Sequence, residues 1–154
     1  MNNRRGLALA ARAMALAGLA VLALFFAAFV PAAAAEFRVK VSELRTNDGD
    51  VHFALYATPE SFPKSKGRYA GIHVPAQSFE ALAVFTGLKA GRYALAVYHD
   101  ENGNGKFDQG FLGIPLEGYA FSNGATAFFG PPSFKAAAVE LEGEITEITI
   151  PMRY

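Results

Sequence analysis

The sequence predicts an all-β protein, an antiparallel β-sandwich of about seven short strands. Apolar and polar residues alternate with a period of two in several short runs, and clusters of Gly, Pro, Asn and Asp separate these runs. No stretch of residues 36–154 shows a helical period beyond about two turns. Short strands with turn signals at this spacing are typical of sandwiches.

The segment ahead of this domain, residues 1–35, has the pattern of an export signal. Three arginines precede an apolar run over residues 13–30, and Pro31 stands shortly before three alanines at 33–35, which suits signal peptidase. We therefore predict a signal peptide at 1–35 and a single exported domain at 36–154, in the periplasm or outside the cell. The alternative is an uncleaved anchor, because the apolar run reaches the lower limit of a membrane span.

The composition excludes several classes of function. The chain has no Cys, so thiol catalysis and thiolate metal sites are excluded. Three of the 14 Lys and Arg lie before residue 36, which leaves eleven against 14 acidic residues and a net charge of −3 in the domain. With no basic cluster, we predict no nucleic-acid partner. The partner is otherwise unknown, and a membrane enters only through an uncleaved anchor.

The first half of the domain predicts two strands. Alternation over residues 37–41 indicates a strand with one buried face, and residues 51–57 indicate a second. Between them, Asn-Asp-Gly-Asp at 47–50 is a strong hairpin signal, so we expect these runs to pair with each other. Residues 58–75 lack a clean period and predict a long exposed loop, with a helical turn near 60–64.

The second half begins with an ambiguous run and then the clearest strand. Residues 77–85 predict a strand, although their large apolar residues also suit a helix. A turn at 86–91 follows. In the strand at 92–99, large residues occupy one face and small alanines much of the other, which indicates that both faces are covered.

The C-terminal region combines an irregular segment with two further strands. Residues 110–134 are rich in Gly, Pro and aromatic residues, so we expect loops or short strands held by aromatic packing. Residues 135–141 and 144–150 predict a closing hairpin around Glu142-Gly143.

The segment after the clearest strand predicts a metal site. Oxygen-bearing side chains recur at alternate positions, and a second carboxylate follows shortly after them. Calcium takes roughly six to eight oxygen ligands from a loop curled around it. We predict a calcium-binding loop whose ligands are the side chains of Asp100, Asn102, Asn104 and Asp108 and the main-chain carbonyl of Lys106.

This loop departs from an EF-hand. Phe111 occupies the twelfth position, where an EF-hand places a bidentate Glu, and no helical pattern flanks the loop. The departure predicts weak affinity, on the order of 10⁻⁴ to 10⁻³ M, with Glu117 a candidate for the missing ligand. The alternative is a metal-free structural loop, in which Asn-Gly pairs form tight turns and Asp side chains cap backbone amides.

Catalytic arrangements are less well supported. His99 ends the clearest strand beside Asp100, but a strand-end histidine is more often simply hydrogen-bonded. Ser122 or Ser133 could join them in a nucleophilic triad. However, the chain lacks a G-x-S-x-G motif, and adjacent residues of a strand point to opposite faces.

The stretch from Leu88 to Phe134 resembles a known family. Its motifs are A-G-R-Y-A-L-A-V-Y-H-D-E-N-G-N-G-K-F-D, G-I-P-L-E-G-Y-A-F-S-N and G-P-P-S-F. Together they resemble an exported bacterial family known as domain of unknown function 2141, which implies a compact β-domain and no assigned reaction. The Leu-x-x-Gly-x-Tyr turn at 88–93 also resembles that of transthyretin-like and carboxypeptidase-regulatory-like domains. The fold expected is thus an immunoglobulin-like or transthyretin-like sandwich.

These observations favour an exported, non-catalytic binding or structural module with a calcium-binding loop. One alternative is a periplasmic hydrolase that activates water, through a metal or a carboxylate, near His99, Asp100 and Glu117. Another is a small-ligand or glycan binder that uses the aromatic residues of 111–134.

Overall fold

The computed structural model describes residues 34–154; nearly all of the predicted signal peptide lies outside the described residues. The described part contains eight strands: β1 Ala35–Ser42, β2 Asp50–Tyr56, β3 Ala70–Pro75, β4 Ala81–Leu88, β5 Gly91–Asp100, β6 Gly118–Phe121, β7 Ala138–Leu141 and β8 Ile145–Pro151. Helix is limited to one turn at Phe134–Ala137 and 3₁₀ segments at Phe111–Gly113 and Ser122–Gly124. No helix within residues 34–154 has the length and apolar character needed to cross a membrane.

The strands form two sheets. The smaller sheet has the order β4-β1-β8, and the larger has the order β3-β2-β5-β6, with β7 also paired to β5. Every strand pair is antiparallel except β1 with β8, which runs parallel from Glu36 opposite Ile145 to Ser42 opposite Pro151. The predicted all-β sandwich is confirmed, with eight strands and with one parallel pair that the sequence did not indicate.

The inner faces of both sheets form one hydrophobic core. Phe37, Val39 and Val41 of β1 are fully buried against residues of β2 and β5, such as Phe53 and Leu95. The alternation read from the sequence is therefore confirmed for β1 and β5. Burying each of these larger side chains contributes about 1.5–3 kcal/mol, which explains how a domain without disulfides is held together.

Both predicted hairpins are wrong. β1 and β2 lie in different sheets, and so do β7 and β8. Alternation determines which face of a strand is buried, and that face meets the same core whichever strand is the neighbour. The turn at 47–50 instead ends a crossover between the sheets. The Asn47 side chain fixes this crossover by accepting the backbone N–H of Phe79 at 2.6 Å.

Two further expectations for the first half need correction. The predicted loop over 58–75 ends in β3, an edge strand that pairs antiparallel with β2. Its core-facing residues are only half-buried, so the period in the sequence is weak. Residues 60–64 form turns and not a helix. The ambiguous run at 77–85 becomes a strand only from Ala81, and β4 extends to Leu88, into the predicted turn.

The aromatic region packs only in part. Phe121 and Phe134 join a second cluster on the outer face of the larger sheet. Phe111, Phe128 and Phe129, which we expected to be packed, are 86%, 83% and 100% exposed. Their loops project from the domain, because the short strand β6 and the helical turn anchor only the residues close to them.

Candidate metal centre

The loop after β5 curls around one buried carboxylate. Asp100 is the last residue of β5 and is almost fully buried. Its Oδ1 accepts the N–H of Asn104 at 3.0 Å, and its Oδ2 accepts the N–H of Gly105 at 2.7 Å. Gly103 and Gly105 have φ of +68° and +75°, a conformation that glycine adopts without strain. The predicted sharp turn is therefore present.

The remaining predicted ligands join the same network. Oδ2 of Asp108 accepts the Nδ2 groups of Asn102 and Asn104 at 2.7 and 2.8 Å. The amide oxygens of these two residues accept backbone N–H groups, those of Asn104 and Lys106 respectively. The structure thus brings together the four residues whose side chains were predicted as ligands, and Lys106 joins them through its backbone N–H, whereas the prediction concerned its carbonyl. The Nδ2–H groups of these two amides are thus the positive partners of the Asp108 carboxylate, a role that a bound cation could also fill.

Glu117 adds a third carboxylate to the loop. It is 4% exposed, and its Oε2 accepts the N–H of Asp108 at 3.0 Å. Its Oε1 is buried and makes no hydrogen bond of ordinary geometry within residues 34–154, although the backbone N–H of Glu101 lies close enough to the carboxylate to favour its charged form. Burial raises the pKa of Glu117, and the negative charges of Asp100 and Asp108 add to that increase, whereas the backbone N–H groups of Asp108 and Glu101 oppose it. A proton or a cation would stabilise this oxygen.

The donor set fits a hard cation in its chemistry, since it consists of carboxylate and amide oxygens. In the part of the chain that the structure describes, no three His, Asp or Glu side chains form a metal site by themselves. Coordination therefore depends on Asn102 and Asn104, whose amides would have to rotate and give up two hydrogen bonds to the backbone. That rearrangement would oppose the binding of a cation.

Residues from β2 and β5 hold the Asp100 carboxylate in place. Tyr98 donates its hydroxyl hydrogen to Nδ1 of His52 at 2.9 Å, and Nε2 of His52 lies 3.3 Å from Oδ2 of Asp100. Burial lowers the pKa of His52, and the His73 ring, 3.9 Å away, lowers it further. A neutral imidazole therefore lies against the Asp100 carboxylate. The sequence analysis did not assign His52 to this site. That assignment requires knowing that His52 pairs with Tyr98 across β2 and β5.

His99 lies on the opposite face and is fully buried. Its Nε2 donates to the carbonyl of Asp48 at 2.7 Å, so its Nδ1 accepts the hydroxyl of Tyr154, also at 2.7 Å. The Tyr154 oxygen in turn accepts the N–H of Arg45. Both ring nitrogens of His99 are thus engaged with the protein, as expected for a hydrogen-bonded histidine at a strand end.

The serines considered for a triad have other partners. Ser122 is fully buried; it donates to the carbonyl of Ala137 and accepts the N–H of Leu95 at 2.8 Å. Ser133 caps the helical turn by accepting the N–H of Ala136 at 3.2 Å. Neither hydroxyl is hydrogen-bonded to His99, so the structure does not assemble the triad.

A family model described as an uncharacterized protein conserved in bacteria, domain of unknown function 2141, matches residues 39–149. Comparisons with curated proteins and with solved structures gave no match. The matched span extends from β1 into β8 and includes the entire candidate metal centre. The resemblance seen in residues 88–134 is therefore confirmed, and the chain belongs to this family of uncharacterized bacterial proteins.

Proposed function

We propose that this chain is an exported, non-catalytic module whose loop at 100–108 binds Ca²⁺ weakly. One observation carries the proposal: the carboxylates of Asp100, Asp108 and Glu117 are all hydrogen-bonded to residues of one loop, and an oxygen of Glu117 is buried there without a hydrogen bond of ordinary geometry. Calcium at this point would neutralise the repulsion among the three acids and occupy the orphan oxygen. The hydrolase alternative has no comparable support, because both nitrogens of His99 are already engaged.

The consequence of binding would be local ordering and global stability. An ion that binds only the folded state stabilises it by mass action. The loop connects β5 to the segment before β6, so a bound ion would tie these elements together more firmly than the present amide contacts do.

A calcium titration followed by thermal unfolding and by calorimetry tests the calcium site. At an ion concentration about one hundred times Kd, the free energy of unfolding should rise by about 2.7 kcal/mol. Glu117→Gln should retain or raise the calcium-free melting temperature, because it removes a buried charge, and should lose most of the calcium response. Glu140→Gln, which neutralises an exposed acid on β7, should keep the full response.

Two results would contradict the calcium site. The first is an equal gain in stability from NaCl at matched ionic strength, which would indicate screening of surface charge. The second is an undiminished calcium response in Glu117→Gln.

Export is supported by the pattern of residues 1–35, which lies almost wholly outside the described residues. Cell fractionation and the intact mass of the recovered protein test it. We expect the protein outside the cytoplasm, with a mass that corresponds to cleavage near residue 35. A full-length protein confined to the cytoplasm would refute export without affecting the calcium test.

A further inference from the structure

The outer face of the larger sheet, which points away from the core, contains a cavity of about 420 Å³ beside the calcium loop. Ala54 and Ala96 lie opposite each other in its floor, and Gly71 pairs with Ala54 on the neighbouring strand. Because these residues are small, the sheet surface is recessed here. A volume of this size lies in the range of small-molecule sites.

Aromatic side chains form one wall of this cavity. The Phe107 ring lies 5.6 Å from the Tyr98 ring and 6.2 Å from the Tyr119 ring, so the loop at 100–108 closes one side. Tyr56 and Pro63 form a further part of the cavity wall. The tyrosine hydroxyl of Tyr56 donates to the carbonyl of Lys64, which holds that wall in place.

Two cations line the same cavity. Arg68 and Lys106 are exposed, and neither side chain makes an ion pair or a hydrogen bond within residues 34–154. The Arg68 guanidinium lies over Gly71 at the edge of the floor, because a Cβ placed on Gly71 would lie 3.7 Å from its Nη1. Two unpaired cations at one concave site, on a domain of net negative charge, favour an anionic ligand.

A second, apolar groove adjoins the first cavity. It measures about 630 Å³, lies between residues 109–115 and 127–131, and shares Pro63, Phe107 and Tyr119 with the first cavity. None of its lining residues is charged. Leu112, Ile114 and Phe129 line or border it while 83%, 62% and 100% exposed. Exposed apolar side chains in this number, grouped in one place, mark a binding surface.

We propose that the two cavities form one site for a free, single-chain anionic amphiphile, such as a long-chain carboxylate. Arg68 and Lys106 bind the carboxylate, because a guanidinium pairs with it through two parallel hydrogen bonds. The chain passes Phe107 and Tyr119 and lies in the apolar groove. The cationic first cavity suits the carboxylate of such a ligand, and the uncharged groove suits its hydrocarbon chain. No metal takes part in this site, although the loop at 100–108 supplies Lys106 and Phe107 to it.

Calorimetric titration of the protein with laurate, in EDTA and below the micelle concentration, tests the proposal. We expect saturable binding of one laurate per chain. The double change Arg68→Gln with Lys106→Gln should weaken binding at least tenfold, and Ile114→Ser should weaken it severalfold. Lys135→Gln and Ile145→Ser, matched changes at exposed positions outside both cavities, should leave it unchanged.

Competing ligands define what would overturn the site. Dodecyl maltoside has the same chain without the charge, and benzoate has the charge without the chain; either one binding as tightly as laurate would refute the proposal. So would the absence of saturable laurate binding, or equal weakening in the control variants. Binding to anionic phospholipid vesicles that laurate fails to displace would assign the surface to a membrane instead, and would also refute it.

Discussion

At the scale of single residues, Gly49 shows how closely the crossover approaches β5. A Cβ at this position would lie 1.9 Å from the carbonyl oxygen of Asp100, and its φ is +68°. We expect Gly49→Ala to lower the free energy of unfolding by about 2–5 kcal/mol, from left-handed strain and from a forced backbone shift. Urea denaturation in EDTA measures this change without a contribution from calcium.

Gly87 is the matched control for Gly49. Its φ is +73°, but a Cβ there would meet nothing within 4 Å. Gly87→Ala should therefore cost only the strain of the left-handed conformation, about 1–2 kcal/mol. Equal decreases in the free energy of unfolding of the two variants would show that the close approach of Gly49 to Asp100 adds nothing to the cost of the substitution.

The ion pair between Arg45 and Glu101 predicts a pH dependence. Hydrogen bonds from Arg45, helped by Thr46, lower the pKa of Glu101 below its ordinary value of 4.5, although partial burial opposes this. A lowered carboxyl pKa adds stability that is present above pH 4.5 and is lost as the pH falls through the lowered pKa. Because Arg45 is half exposed, the contribution should be small, about 0.5–1 kcal/mol.

The free energies of unfolding of the wild type and of Glu101→Gln, measured from about pH 3 to about pH 7, check this pH dependence. The variant should be less stable at neutral pH, and the difference should shrink as the pH falls below 4.5. Glu140→Gln should show no such convergence. A stability difference for Glu101→Gln that is independent of pH would contradict the assignment.

The candidate site was predictable from the sequence only where its residues are neighbours in the chain. Asp100, Asn102 and Asn104 were found because their spacing is local and the loop curls on itself. Glu117 could be named only as a candidate, because its approach to Asp108 depends on where the chain returns after the loop. His52 was missed, because it reaches Asp100 through the register of two strands.

At the scale of strands, β8 resolves an irregularity in the sequence. Ile145, Ile148 and Ile150 do not share one alternation, and the structure shows why: residues 146, 148 and 150 face the core, whereas Ile145 lies on the other face and is 55% exposed. Residue type alone could not distinguish them. The buried face follows from the parallel register of β8 with β1. No turn sequence predicts this pairing, because the two strands are far apart in the chain.

This register gives a matched pair of variants within β8. Ile150 is 3% exposed, so Ile150→Ala should cost about 2–5 kcal/mol through lost burial and the cavity left behind. Ile145→Ala should change stability by less than about 0.5 kcal/mol, as at other surface positions. Chemical denaturation compares the two directly. Similar losses would indicate a different register of β8 on β1.

At the scale of the whole domain, the two sheets share a single core, but two spectroscopic signals, tyrosine fluorescence and circular dichroism, sample them differently. Four of the six tyrosines lie in β2, β5 and β6 and none lies in β1, β4 or β8, so tyrosine fluorescence does not sample the smaller sheet directly. Far-UV circular dichroism reports the strands of both sheets. One cluster of buried residues joins β1 to β2 and β5, which predicts one cooperative unfolding transition.

Phe37→Ala tests this cooperativity, because it removes a fully buried ring from the smaller sheet, which has no tyrosine. The loss should be about 3–5 kcal/mol. If the domain unfolds as a unit, the urea midpoints from fluorescence and from circular dichroism should fall together by the same amount. Phe53→Ala, the equivalent change in the larger sheet, should behave in the same way. Loss of circular dichroism ahead of the tyrosine transition in Phe37→Ala would show instead that the smaller sheet detaches, and that the shared core does not couple the two layers.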